Sequence, residues 1–505
     1  MIQHIFAIVQ KKNTQPSRDS RCSRPAMVFC ATLILAFQTA CKVPLQAEET
    51  TRPNIVLIMA DDQGWGDMAY NGHPKLKTPH FDKAASECLR FDRFHAAAPV
   101  CSPTRASVLT GRHPNRMGVF KWGYPMRPQE ITLAEVLHDA GYQTAHFGKW
   151  HLGSVRSASP ANPGRNGFDE WLSAPNFYDN DPILSRQGKA VQVPGESSIV
   201  AAEAALSWMK KSAAAPAPFL AVVWFGSPHS PHQAVQEDRN IYADEPRNLK
   251  NFYGEITGMD RAFGMIRSGL RELEIENNTI LWYCSDNGGL RGVGSTGGRG
   301  HKGQVYEGGL LVPAFLEWPA RIKLPRTTSI PCNTCDIYPT LLACAGVEIT
   351  KDQPVLDGIS LEPLIHGTMK QRTKPMGFWD TTAKGISTPS AKWMADLLEA
   401  QKRGEDLEPH ESSQNAAKLP EPRMTSDRFP GHSAWNADGW KLHRIESDGR
   451  NTVRWELYDL TNDPMEKENL ADKQPERLKA MQKQLEAWLT SVVGSLNGDD
   501  YPAER

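Results

Sequence analysis

The chain is short of charge excess of either sign. Its 505 residues carry 57 Lys and Arg against 58 Asp and Glu, a formal net charge of −1. A nucleic-acid binder would show a basic excess or basic blocks, so that class is excluded. Long apolar runs are scarce. The run Met27 to Phe37 (MVFCATLILAF) has 11 residues, short of the about 20 that a membrane-spanning helix needs. There is no internal repeat. Cysteines are few, and their number, nine, is odd, so internal disulfides cannot pair them all. The Gly-rich stretch 288–303 lacks the spacing of a phosphate-binding loop, which excludes a nucleotide site there. What is present is an ordinary globular composition, 40% hydrophobic and 23% charged, which excludes wholesale disorder. The length fits two or three domains, or one large α/β domain with additions.

Residues 1–48 read as a segment apart. Lys11, Lys12, Arg18, Arg21 and Arg24 face one acid, Asp19, and precede the apolar run and a set of small residues. That order is an export signal, with an uncleaved membrane anchor as the alternative because the basic part is long. Cys41 after Thr39 and Ala40 faintly suggests lipid attachment, which Gln38 weakens. The expected location is periplasmic or extracellular. Removal near 41–48 would leave six cysteines: 88, 101, 284, 332, 335 and 344. Cys332-Asn-Thr-Cys335 has no second ligand pair at zinc spacing and reads as packing or a local disulfide.

From residue 49 to 375, strand-like and helix-like runs alternate. Asn54–Ala60, Tyr142–Phe147, Phe219–Phe225, Thr279–Ser285 and Val312–Trp318 are strand-length runs with few polar positions. Ile131–Ala140, Ala201–Lys211 and Asn251–Leu273 have helical spacing. Buried strands separated by helices predict a large, mostly parallel sheet covered on both faces. Residues 376–505 read as a small C-terminal α+β domain with an antiparallel sheet. It holds a polar insertion at about 380–435 and a hairpin of Trp440–Ile445 and Arg454–Leu460 around Ser447-Asp448-Gly449. Its last helix is expected at Pro475–Val493, stopped by Gly494.

The first strand ends in Asp61-Asp62, and the strand 279–285 ends in Asp286-Asn287. Ligands of open α/β sheets bind beyond the carboxyl ends of strands. Carboxylates and an amide from two such ends suit one hard divalent cation, which wants several oxygens; a helix cap plus solvated acids is the plainer alternative. Then comes Cys101-Ser-Pro103-Thr-Arg105, continuing to Thr110-Gly111-Arg112. That pattern arises by chance in about one chain of this length in ten thousand at average residue usage. Pro103 is placed to open a helix, which would set Cys101 at an N-terminus where backbone N–H groups favour an anion.

This motif resembles the signature of the sulfatase family. The resemblance extends to Lys149-Trp150-His151-Leu152-Gly153, to Ser227-Pro228-His229 and to Gly300-His301-Lys302-Gly303. It also takes in Glu307-Gly308-Gly309, Asp336-Ile337-Tyr338-Pro339-Thr340 and Leu457-Tyr458-Asp459-Leu460 with Asp463-Pro464, Glu466 and Asn469-Leu470. It implies the alkaline-phosphatase-like α/β fold. It implies that Cys101 is oxidised to formylglycine by a formylglycine-generating enzyme, so that one hydroxyl of the aldehyde hydrate attacks sulfur and the other expels sulfate. It further implies that Arg105 holds the nucleophile, His151 orients or deprotonates it, and Lys149, His229 and Lys302 bind sulfate. His229 would also protonate the leaving alcohol, with His232 further out. One Ca²⁺ would be bound by Asp61, Asp62, Asp286, Asn287 and the oxygen carried by residue 101. Leu311 stands where the family has a basic residue, and residues 380–435 have no family counterpart. The resulting expectation is a sulfuric ester hydrolase acting on a sulfated small molecule or glycan, of arylsulfatase or N-acetylgalactosamine-6-sulfatase type. The alternatives are a phosphonate or phosphate ester hydrolase using the same aldehyde, and a non-catalytic glycan-binding protein.

Overall fold

The computed structural model describes residues 52–408, 419–446 and 452–502. The expected export segment and the turn at 447–449 lie outside them. The apolar runs form a ten-strand path ordered β10-β2-β9-β8-β1-β7-β3-β4-β5-β6. In chain order these are β1 (Asn54–Ala60), β2 (Leu89–His95), β3 (Gln143–Lys149), β4 (Glu170–Ala174), β5 (Ile183–Arg186), β6 (Lys189–Gln192), β7 (Phe219–Trp224), β8 (Thr279–Ser285), β9 (Leu311–Glu317) and β10 (Arg326–Thr328). A short β11 (Cys332–Asn333) also pairs with β2. The central strands β8, β1, β7, β3 and β4 are mutually parallel, and β9, β5 and β6 run antiparallel to their neighbours.

Alternation along β1 explains the layers. Ile55, Leu57 and Met59 join one apolar core, with the helices Cys101–Thr110, Leu133–Asp139 and Ile337–Cys344. Val56, Ile58 and Ala60 join the other, with Pro79–Glu87, Ser197–Ser212 and Arg247–Glu272. A sheet wet on neither face can be apolar on both, as these strands are. The helix at 133–139 starts where a capping box closes: Thr132 accepts from the Glu135 N–H, and Glu135 accepts from the Thr132 N–H.

A second, four-stranded antiparallel sheet follows: β12 (Met376–Asp380), β13 (His432–Ala437), β14 (Trp440–Glu446) and β15 (Val453–Asp459). The helix Pro475–Leu496 covers it through Leu485, Leu489 and Val492. Gly494 does not stop this helix as expected. The buried stripe continues through Val493 to Leu496, so packing overrides the glycine. Within the polar insertion, Ser390–Lys402 is a helix that buries Met394, Leu397 and Ala400. Cys332 and Cys335 are buried free thiols, so the packing reading of that pair holds.

Candidate active site

Four adjacent parallel strands, β8-β1-β7-β3, aim their carboxyl ends at one place. β1 delivers Asp61 and Asp62, β8 delivers Asp286 and Asn287, β3 delivers Lys149 and His151, and β7 leads to His229. This is where an open α/β sheet binds ligands. Asp62 and His151 have φ of 73° and 56°, left-handed values that cost side-chain-bearing residues about 1–3 kcal/mol each and cluster at functional sites.

Cys101 is the first residue of its helix and is buried. Its Sγ and one carboxylate oxygen each of Asp61 and Asp286 lie within 4.8 Å of one another. One turn on, Arg105 reaches Asp286 at 2.7 Å, Asp61 at 3.7 Å and the Lys149 carbonyl at 3.2 Å. Its guanidinium also lies over Trp224, 5.1 Å from the ring centre. Lys149 Nζ is 2.6 Å from Asp61 Oδ2, and Lys302 Nζ is 2.6 Å from Asp62 Oδ1. His229 Nε2 stands 3.7 Å from Asp62. The Asp62 N–H donates to Asp286 Oδ1, and Asn287 Nδ2 donates to Asp62 Oδ1. All ten expected residues therefore come together. His232 turns away, with Nδ1 3.3 Å from Glu255.

Electrostatics follow from burial and these contacts. Burial alone would raise Asp62, but Lys302, His229 and Lys149 hold it well below the usual carboxylate range. Burial and the charge of Asp61 push Asp286 up to about 6, against Arg105 and Lys149. Burial raises the Cys101 thiol. Burial lowers His151 far below its usual value, and Lys149 and Arg105 push the same way. Burial lowers His229 to about 3 against the pull of Asp62. Burial thus favours the uncharged form of both imidazoles. An anion beside His229 favours its protonated form.

The donor set fits a hard cation. Asp61 Oδ1 and Asn287 Oδ1 are buried without a hydrogen-bond partner, and the cluster offers oxygens from three carboxylates and an amide. Both His151 nitrogens are likewise buried and unpartnered.

Sequence reasoning did not find what holds Lys302 in place. The Lys302 N–H donates to the Gly289 carbonyl, and the Gly303 N–H donates to the Pro99 carbonyl, two residues before Cys101. Ser295 bridges to the first loop: its N–H donates to Asp67, and its carbonyl accepts from Gly66. A Cβ on Gly64 would fall 2.3 Å from that carbonyl oxygen, so only glycine fits. Beneath this loop Glu307 bonds His95 and Lys441, while Glu466 bonds Lys441, His443 and the Glu307 N–H. Glu307 opens the Glu307-Gly308-Gly309 motif, and Glu466 follows Asp463-Pro464. Leu311, the departure from the family pattern, is buried at the start of β9 opposite His95.

A family model described as Sulfatase matches residues 53–347. The chain belongs to the sulfatase family. This sulfatase is a sulfuric ester hydrolase, and it has the alkaline-phosphatase-like fold. It is 33% identical over 364 residues to an ulvan-active sulfatase of Formosa agariphila, covering 68% of this chain and 70% of that protein. It is 32% identical to the N-acetylgalactosamine-6-sulfatase of Canis lupus familiaris, covering 62% and 66%. Among solved structures, Ps i-CgsB in complex with k-i-k-neocarrahexaose superposes with a TM-score of 0.72 at 23% identity, over 87% of this chain and 93% of that one.

Proposed function

We propose that this sulfatase removes O-sulfate groups from a sulfated oligo- or polysaccharide outside the cytoplasm, with formylglycine at residue 101 and one bound Ca²⁺. The observation that carries the reading is the convergence of Cys101, Arg105, Lys149, Lys302, His151 and His229 on the ends of four adjacent strands. The sulfated-glycan substrate is carried over from relatives whose names specify ulvan and N-acetylgalactosamine 6-sulfate. Export rests on the basic and apolar order of residues 11–37.

Each side chain has a task set by its position. Lys149 and Lys302 carry the positive charge that meets a sulfate oxygen, and their carboxylate partners keep them charged and aimed. Preorganised charge of this kind acts where charge develops in the transition state. Arg105, locked between Asp286 and the Lys149 carbonyl, fixes the helix start that presents residue 101. His151 is neutral, buried and unpartnered, so it can accept a proton from a hydroxyl on residue 101. His229 is more exposed, at the open side of the cluster, where it can hold a sulfate oxygen and give a proton to the departing alcohol oxygen. Formylglycine at 101 supplies a hydrated aldehyde, with one hydroxyl to attack sulfur and a second to expel sulfate. Ca²⁺ held by Asp61, Asp62, Asp286 and Asn287 supplies charge that offsets the carboxylates and the incoming anion.

Mass spectrometry of the peptide spanning residue 101 tests the mechanism. Active protein should have lost the sulfur there, after co-expression with a formylglycine-generating enzyme. Active protein with an intact thiol overturns it. Parallel assays on aryl sulfate, aryl phosphate and aryl phosphonate test the bond cleaved, and preference for phosphorus overturns the sulfate assignment.

A further inference from the structure

Trp122 is the one exposed tryptophan of the chain's 14, all of which lie among the described residues. It is 44% exposed, yet it is not loose. On its C-terminal side, the Gly123 N–H donates to Ser102 Oγ at 2.9 Å, one residue from the nucleophile position. Its own carbonyl accepts from the Ile386 N–H at 2.9 Å. Lys121, before it, pairs with Asp380. Gly385 lies against the indole, and a Cβ there would fall 2.0 Å from Trp122 Cε2. Gly123 is equally tight against the Ile386 carbonyl, and its φ of 83° is left-handed. The segment 381–388 thus clasps the Trp122 loop from outside.

The same segment reaches the other side of the site. The Thr388 carbonyl accepts from Asn176 Nδ2 at 3.1 Å, and Asn176 Oδ1 is buried without a partner. Next in the chain, Phe177 stacks on His229, with ring centres 4.3 Å apart and planes 16° apart. The strap therefore links the loop beside Cys101 to the aromatic pair that carries the general-acid candidate. Its residues come from the start of the insertion that has no family counterpart.

We propose that the free face of Trp122, set by the strap 381–388, is a stacking platform for the pyranose ring that bears the sulfate or for its neighbour. This inference rests on the sulfated-saccharide reading above. An indole offers a large apolar face at low conformational cost, and here glycine contact and two backbone hydrogen bonds fix it before substrate arrives, which favours binding. The strap thereby selects saccharides over small sulfate esters. Sulfate itself binds at Lys149, Lys302 and His229 without it.

The test uses the matured full chain with Trp122→Ala, Trp122→Phe and Gly385→Val. The probes are chondroitin 6-sulfate disaccharide and ulvan oligosaccharide, with inorganic sulfate as an inhibitor. On whichever saccharide the wild type desulfates, Trp122→Ala should raise KM about tenfold, within the range of one aromatic contact, and change kcat less than about threefold. Trp122→Phe should recover most of the loss. Gly385→Val should imitate Trp122→Ala by displacing the ring. The inhibition constant of sulfate and the melting temperature should stay at wild-type values. Wild-type KM in Trp122→Ala on an active saccharide overturns the platform alone, as does equal weakening of sulfate inhibition. Failure of the wild type to release sulfate from every sulfated saccharide overturns the saccharide reading and the platform with it.

Discussion

Lys441 of the small sheet places its Nζ 2.7 Å from Glu307 Oε1 in the large-sheet core, with both side chains almost wholly buried. Burial would raise Glu307, but Lys441 and His95 hold it well below the usual carboxylate range. Glu466 lies 3.2 Å from the same ammonium. Lys441→Met would leave two buried carboxylates without their cation. Breaking a buried pair this way costs about 3–5 kcal/mol. Urea unfolding should show that loss. Because Glu307 sits just after the Lys302 loop, sulfate inhibition should weaken as well. Unchanged stability would mean the two carboxylates find other partners.

This relationship was not legible in the sequence, and the reason is distance. Glu307 and Lys441 are 134 residues apart, and neither has a local pattern that specifies a partner. The candidate active site was legible for the opposite reason. Cys101 to Arg105 is one helical turn, and the groups on β1, β3, β7 and β8 follow strand-length apolar runs, so fold and chemistry were written in the same short windows; Lys302, in the glycine-rich loop after β8, was found by its motif alone. β2 (Leu89–His95) escaped notice because Arg90, Asp92 and Arg93 break its apolar pattern, and its register shifts between Phe91 and Phe94. Trp122 had no local signal, since its partner Gly385 lies in a polar insertion that reads as surface.

Metal dependence follows from the carboxylates. Chelation should lower stability, and Ca²⁺ should restore it by about 2.7 kcal/mol at a hundredfold excess over Kd. Plasma emission analysis should find one Ca²⁺ per wild-type chain and much less in Asp61→Ala. Full melting stability and activity in excess chelator would remove the ion from the site.

His229 should matter according to the leaving group. A sugar alkoxide needs a proton as it departs, whereas a nitrophenolate does not. His229→Ala should therefore cut kcat on a sulfated saccharide by about 10²–10⁴-fold and on nitrophenyl sulfate much less. Equal losses on both would mean that His229 binds sulfate without acting as the acid.

A pH effect on stability is expected away from the candidate active site. Asp260, on the helix Arg247–Glu272, accepts hydrogen bonds from the Phe81 and His80 N–H groups at the start of Pro79–Glu87. Burial pushes its carboxyl from 3.8 up to about 7, against those hydrogen bonds. Between these values the folded chain keeps a proton that the unfolded chain has released. Stability from this group is therefore full below about pH 4 and falls as pH rises to about 7. Asp260→Asn keeps an acceptor for the helix end and removes the titration. Its unfolding free energy, measured in urea from pH 4 to 8, should fall less steeply than that of the wild type. The difference in slope can reach about 1.4 kcal/mol per pH unit, the limit for one proton. Parallel slopes would show that Asp260 is already ionised in the fold, held so by the two N–H donors.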